Sequence, residues 1–84
     1  MLNQDKQQIN AYFKFLKDLG YTYQKHDMGF YLLSHNRKFS VIQIGDLYDI
    51  FFYRKVGNQF VIADKWLGQY NFLLCIQWIF IRAR

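Results

Sequence analysis

The sequence predicts a small α+β domain: an N-terminal helix, an antiparallel β-meander of three to five strands, and an apolar C-terminal helix. Three observations carry that reading. The first segment, NQDKQQINAYFKFLKDLG, repeats its apolar residues at helical spacing. The middle of the chain is rich in β-branched and aromatic residues and is punctuated by turn signals. The closing stretch, NFLLCIQWIFIRAR, is apolar along most of its length.

In the first segment Ile9, Tyr12, Phe13, Leu16 and Leu19 form one stripe, and Lys6, Asn10, Lys14 and Lys17 lie on the opposite side. Asn3 is placed to cap the start and Gly20 to follow the last turn. A helix over about 3–19 is expected.

A short strand at Tyr21–Lys25 fits the start of the meander. HNRK closes a hairpin between Phe30–Ser34 and Phe39–Ile44, and the pair Gly45–Asp46 closes another into Leu47–Lys55. Gly57–Asn58 suits a primed two-residue turn, with positive φ at both positions, leading into a strand over Gln59–Ala63. Asp64 then reads as the N-cap of a continuous helix over about 64–81, with Trp66, Leu67, Tyr70, Leu73, Leu74, Trp78 and Ile81 on one side. The alternative is a short helix followed by an edge strand from Leu73 to Ile81, which the isoleucines and aromatics favour by propensity. Gly68 weakens the helix.

The turns set the register, and the register sorts side chains by face. Phe52 is expected opposite Ala63, and Arg54 opposite Val61. Phe30, Leu32, Phe39, Val41, Tyr48, Ile50, Phe52, Val61 and Ala63 then share a core face. The other face carries Tyr31, Leu33, Ser40, Ile42, Ile44, Leu47, Asp49, Phe51, Tyr53, Lys55, Phe60 and Ile62. It is not polar, as the outer face of an antiparallel sheet ordinarily is. Either the helices cover opposite faces, or both pack on one and the second meets another molecule.

The 84 residues make one domain, 1–84. A chain this short buries roughly 60% of its unfolded surface, so it needs reinforcement. One cysteine, Cys75, excludes an internal disulfide. Nine Phe, seven Tyr and two Trp supply large buried areas instead, and oligomerisation is a further route. The polar opening MLNQDKQQIN carries no secretory signal, and a lone thiol suits a reducing cytoplasm. No membrane span is expected, since Gln77, Asn71, Gln69 and Lys65 interrupt the apolar run well short of the roughly 20 residues required.

Chemistry-bearing motifs are sparse. His26 with Asp27, and His35 with Asp46 or Asp49, resemble acid–base pairs, yet these histidines flank expected turns and no nucleophile motif accompanies them. Cys75 sits in the most apolar segment, the setting of an inert buried thiol. Asp46 and Asp49 lack the oxygen-rich loop of a calcium site. No metal, no cofactor and no catalytic residue is expected.

The net charge of +5 favours an acidic partner. Arg37 and Lys38, in NRK, and Arg54 and Lys55, in YRK, lie at loops or strand ends beside the aromatic residues Tyr31, Phe51, Tyr53 and Phe60. These are the expected partner-binding residues. The expectation is a non-catalytic binding protein that contacts a protein partner, or a second copy of itself as a homo-oligomer, through an aromatic-rich sheet face and basic loops. Short single-domain chains without enzymatic motifs often act as inhibitors or accessory factors of bacteria, plasmids and phages, and such a role is expected here. The alternative is a small basic protein that binds single-stranded nucleic acid by stacking and phosphate contacts. The order helix–strands–helix is not that of the RNA-recognition module, and no recognition helix is apparent.

Overall fold

The computed structural model describes residues 3–69 and 71–84. Helix α1 (Asn3–Asp18) leads into strands β1 (Thr22–His26), β2 (Gly29–Leu33), β3 (Arg37–Ile44), β4 (Leu47–Val56) and β5 (Gln59–Gln69), and helix α2 (Phe72–Ala83) follows. The strands form one five-stranded antiparallel meander in the order β1-β2-β3-β4-β5. The expected α+β architecture is therefore present.

Helix α1 ends as its sequence suggests. The Gly20 N–H donates to the Lys17 carbonyl and the Tyr21 N–H to the Leu16 carbonyl, the paired closure of a left-handed cap. Ile9 and Leu16 from its stripe are buried, whereas Leu19 is exposed and does not join the core. The side chain of Asn3, the expected cap, lies outside the described residues.

The hairpins at Gly45–Asp46 and Gly57–Asn58 fall where the turn residues place them, with Phe39 opposite Phe52, Val41 opposite Ile50 and Arg54 opposite Val61. The HNRK hairpin is tighter than expected, since Arg37 and Lys38 belong to β3 and Lys38 pairs with Leu33. In the Gly57–Asn58 turn only Gly57 takes positive φ, so Asn58 does not follow the expected pattern.

The C-terminal third departs most from the sequence reading. Asp64 is not an N-cap, and no helix begins there: β5 runs on to Gln69. Two register shifts accommodate the extra length, so Phe52 lies opposite Asp64 rather than Ala63, and Trp66 lies opposite Ile50. Gly68, with φ +71, supplies left-handed backbone at the second irregularity. Helix α2 starts only at Phe72, where the Asn71 carboxamide oxygen accepts the Leu74 N–H. The edge strand over Leu73–Ile81 does not form either. The expected wheel is rotated as well: α2 buries Cys75, Ile76, Ile79 and Ala83 and leaves Leu74 and Ile81 outside. Tyr70, assigned to that wheel, lies outside the described residues.

Both helices pack on the same side of the sheet. One core holds Ile9 and Leu16 of α1, Cys75, Ile76 and Ile79 of α2, and Phe30, Leu32, Phe39, Val41, Ile50 and Phe52 of the strands. Tyr48 packs partly buried against it. Val61 and Ala63, expected in this core, are exposed: Val61 keeps its expected partner Arg54, which is exposed as well, and Ala63 falls at the first register shift and has no partner on β4. Helix α2 is fastened along its C-terminal half. Trp66 stacks on Trp78 at 5.8 Å, and Arg82 lies over Trp78 while its Nε donates to Asp64 at 3.0 Å. At the last residue of the helix the Arg37 guanidinium and the Tyr21 hydroxyl donate to the Ala83 carbonyl at 3.0 and 3.3 Å. Cations at a helix C-terminus oppose its partial negative charge. No helix among the described residues is long and apolar enough to cross a membrane.

Candidate functional site

The side of the sheet opposite the helices is the candidate site. Alternation along each strand sends Phe39, Val41, Ile50 and Phe52 into the core and Lys38, Ser40, Ile42, Phe51 and Tyr53 the other way. Two cross-strand rows make up its centre. One runs Gln24, Tyr31, Ser40, Phe51, Lys65, and its neighbour runs Thr22, Leu33, Lys38, Tyr53, Ile62. Leu33, Ile44, Leu47 and Ile62 on this face are exposed large hydrophobics. No described element covers it.

Lys38 stands at the middle. Its Nζ lies 4.4 Å from the centre of the Tyr31 ring and 5.3 Å from that of Tyr53. Two rings holding one ammonium fix a positive charge over an apolar field, an arrangement worth about 0.5–1 kcal/mol per ring when exposed. Lys55 sits 5.9 Å from the Phe60 ring at the margin. Ser40 is buried in the row between Tyr31 and Phe51. His26 packs tilted against Tyr31 with ring centres 4.5 Å apart, and its Nδ1 accepts the Met28 N–H across the β1–β2 turn. Among the described residues Asp49 is the one carboxylate that the strands put on this face, and one of its oxygens already accepts the Gly68 N–H at 2.8 Å.

The expected partner-binding residues divide by face. Tyr31, Lys38, Phe51, Tyr53, Lys55 and Phe60 come together on the open side. Arg37 and Arg54 do not, because they pair with each other across the ladder on the helix side. Arg37 holds the end of α2, and Arg54 lies 5.5 Å from the Phe52 ring. Lys65, read as helical from sequence, joins the open face opposite Phe51. Only the bulge in β5 puts it there, and no residue pattern announces that bulge.

The structure keeps His35 apart from Asp46. His35 lies in the β2–β3 turn and Asp46 in the β3–β4 turn, with the eight residues of β3 between them. Among the described residues no cluster of histidine, cysteine and carboxylate could hold a metal ion. Burial pushes the Cys75 thiol up from its ordinary 9.0 to about 11. The thiol is therefore protonated at neutral pH, and thiolate appears only as the pH climbs towards 11. In the folded protein Cys75 should resist iodoacetamide at pH 8, and it should react at the rate of a free thiol once denaturant unfolds the chain. Rapid alkylation of the native protein would show that α2 opens or that the thiol is not buried.

No family model, no curated protein and no solved structure matches this chain.

Proposed function

We propose that this is a non-catalytic binding protein whose open sheet face engages a protein partner, either a foreign surface or a second copy of the chain. One observation carries the reading: both helices lie on one side, and the other side keeps Tyr31, Phe51 and Tyr53 around Lys38 with no described element over them. Tyrosine and phenylalanine around a fixed cation suit a partner patch that is apolar at its centre and acidic beside it. Such a patch gains area from the rings and direction from the charge. A protein of this kind acts by occupying a surface, as inhibitors and accessory factors of bacteria and phages do. The single, buried thiol suits a reducing cytoplasm.

A second reading rests on the same face. Aromatic rings flanked by Lys38, Lys55 and Lys65 are also what stacking and phosphate contacts with single-stranded nucleic acid require.

Light scattering and affinity capture test both readings, comparing the wild type with Tyr53→Ala and Lys38→Glu. At micromolar concentration the wild type is expected to run as a dimer or with a protein partner, and both variants should lose that assembly while keeping their melting temperature. Oligonucleotide binding that falls steeply with salt and disappears in Lys38→Glu would move the reading to nucleic acid. A strict monomer with neither partner nor oligonucleotide, or assembly that ignores both substitutions, would remove the open face as the site.

A further inference from the structure

We propose a second docking site, independent of the open face: the free edge of β1 accepts a sixth strand, an extended acidic segment of a protein partner, with one apolar side chain anchored under α1. The edge itself is the first observation. The Ser34 N–H donates to the Arg37 carbonyl, and the Gln43 N–H to the Met28 carbonyl. Antiparallel ladders alternate bonded and unbonded pairs. These two bonds therefore aim the backbone of Leu32 and Phe30 at β3, and that of Leu33 and Tyr31 at β1. Thr22 and Gln24 answer them. Tyr23 and Lys25 are left with their N–H and C=O groups pointing out of the sheet.

The two sheet edges differ. The β4–β5 ladder carries two register shifts, and β5 bears Asp64 and Lys65 in sequence, devices that discourage a further strand. The β1–β2 ladder is regular over all five residues of β1 and has no shift. Its five-residue length and Lys25 offer some protection, but with no bulge it is the more regular template of the two edges.

The second observation is the groove above that edge. A cleft of about 920 Å³ opens between α1 and the β1–β2 hairpin. Phe13, Tyr23 and Phe30 line it, with ring centres 5.1–5.9 Å apart. Tyr23 points to the helix side yet is 55% exposed, so the described chain leaves this aromatic wall unfilled. Lys6, Lys14 and Lys17 line the α1 side of the groove, and no carboxylate among the described residues lines any part of it. From Lys6 to Lys17 the helix advances about 16 Å, close to the roughly 17 Å of a five-residue strand.

Strand addition uses both features. Main-chain bonds to Tyr23 and Lys25 supply affinity, and alternate side chains enter the groove. On the helix side of the added strand a central apolar residue meets the three rings, and acidic residues on either side meet the lysines. Side chains on its other side touch nothing here and can be polar.

The probe is a blocked peptide reading Glu-Thr-Leu-Thr-Glu, followed by NMR and amide hydrogen exchange on the full chain. The control reads Thr-Glu-Leu-Glu-Thr, which has the same composition but puts its acids on the side away from the leucine. The first peptide should slow exchange of the Tyr23 and Lys25 amides, and the control should bind about tenfold more weakly. The surface double variant Lys14→Glu/Lys17→Glu should weaken binding by a similar factor, about tenfold. Lys38→Glu, on the opposite face, should leave it unchanged, so this site and the open face succeed or fail separately. Binding without protection of those two amides would make the groove a pocket for apolar groups and sink strand addition. Equal binding of the control, or none at millimolar peptide, would also overturn the proposal.

Discussion

Phe52→Asp is expected to unfold this protein, and Phe51→Asp to leave it folded. The two residues are neighbours in β4 and differ only in the face they take. Phe52 is 3% exposed, stacks on Phe39 at 4.8 Å and belongs to the shared core of sheet and helices. Deleting a buried phenylalanine costs about 3–5 kcal/mol through lost packing alone. An unpaired carboxylate in its place adds several kcal/mol of desolvation. A domain of this size has roughly 5–10 kcal/mol of stability in total, so the variant has no folded state to populate. Phe51 points to the open side opposite Ser40 and Lys65. A carboxylate there stays in water beside Lys65, and the loss should be about 1 kcal/mol, the ordinary range for a point substitution. Circular dichroism and thermal melts of both variants decide it. If Phe51→Asp melts out as fully as Phe52→Asp, the second face is internal and the open-face reading of function falls with it.

That contrast was legible in the sequence, and the reason shows what else was. Short turns lock register, and register with period two assigns each residue of β2, β3 and β4 to a face. Tyr31, Phe51 and Tyr53 are therefore grouped by sequence alone, whereas Lys38, read as part of the HNRK turn, joins that face only because β3 starts at Arg37. The method fails once a strand bulges. From Ala63 onward the register shifts move side chains to partners that hairpin counting does not reach, which takes Ala63 out of the ladder and brings Lys65 to the open face; Val61 keeps its counted partner Arg54, and its exposure is not a matter of register. The stretch after Asp64 misleads for a further reason. Its apolar residues fit a helical wheel as well as a strand, and an aspartate before such a run resembles a cap. The deciding contacts are tertiary: Trp66 on Trp78, and Asp64 to Arg82. The Lys65 N–H and the Arg82 guanidinium also hold the Asp64 carboxyl below the usual carboxylate range. Nothing local to Asp64 predicts an arginine eighteen positions on.

The basic surplus likewise divides into two uses that composition cannot separate. Arg37 and Arg82 are structural, one binding the last carbonyls of α2 and the other clasping Trp78 and Asp64. The lysines are not tied up in this way. Lys38, Lys55 and Lys65 sit on the open face, while Lys6, Lys14 and Lys17 border the groove beside β1. Arginine suits fixed, multidentate contacts to carbonyls and rings, and lysine suits a hydrated charge awaiting a partner. The two lysine groups lie on opposite sides of one sheet, so a charge reversal in either is expected to leave the other site's binding intact.

Gly29→Ala is expected to cost at least about 3 kcal/mol, among the larger losses a single methyl can cause. Gly29 opens β2 and lies between His26 of β1 and Ile42 of β3. Its φ is not in the left-handed region, so backbone conformation does not demand glycine. Space does. A Cβ at this position lands on the carbonyl oxygen of Val41 and comes within 3.2 Å of the Ile42 Cα. Both are backbone, and no rotamer change can clear them. The alanine methyl fits only if β2 and β3 separate locally, which weakens the ladder beside the bond from the Gln43 N–H to the Met28 carbonyl. Gly45→Ala is the control. Gly45 has φ +62 and nothing within 4 Å of its Cβ, so its substitution meets only the left-handed penalty of roughly 1–2 kcal/mol. Urea denaturation of the two variants should give a lower midpoint for Gly29→Ala than for Gly45→Ala, at unchanged slope. The opposite order would mean that β2 and β3 do not approach as closely at Gly29 as the register requires, and that the hairpin carrying Tyr23 and Tyr31 is built differently from the sheet described above.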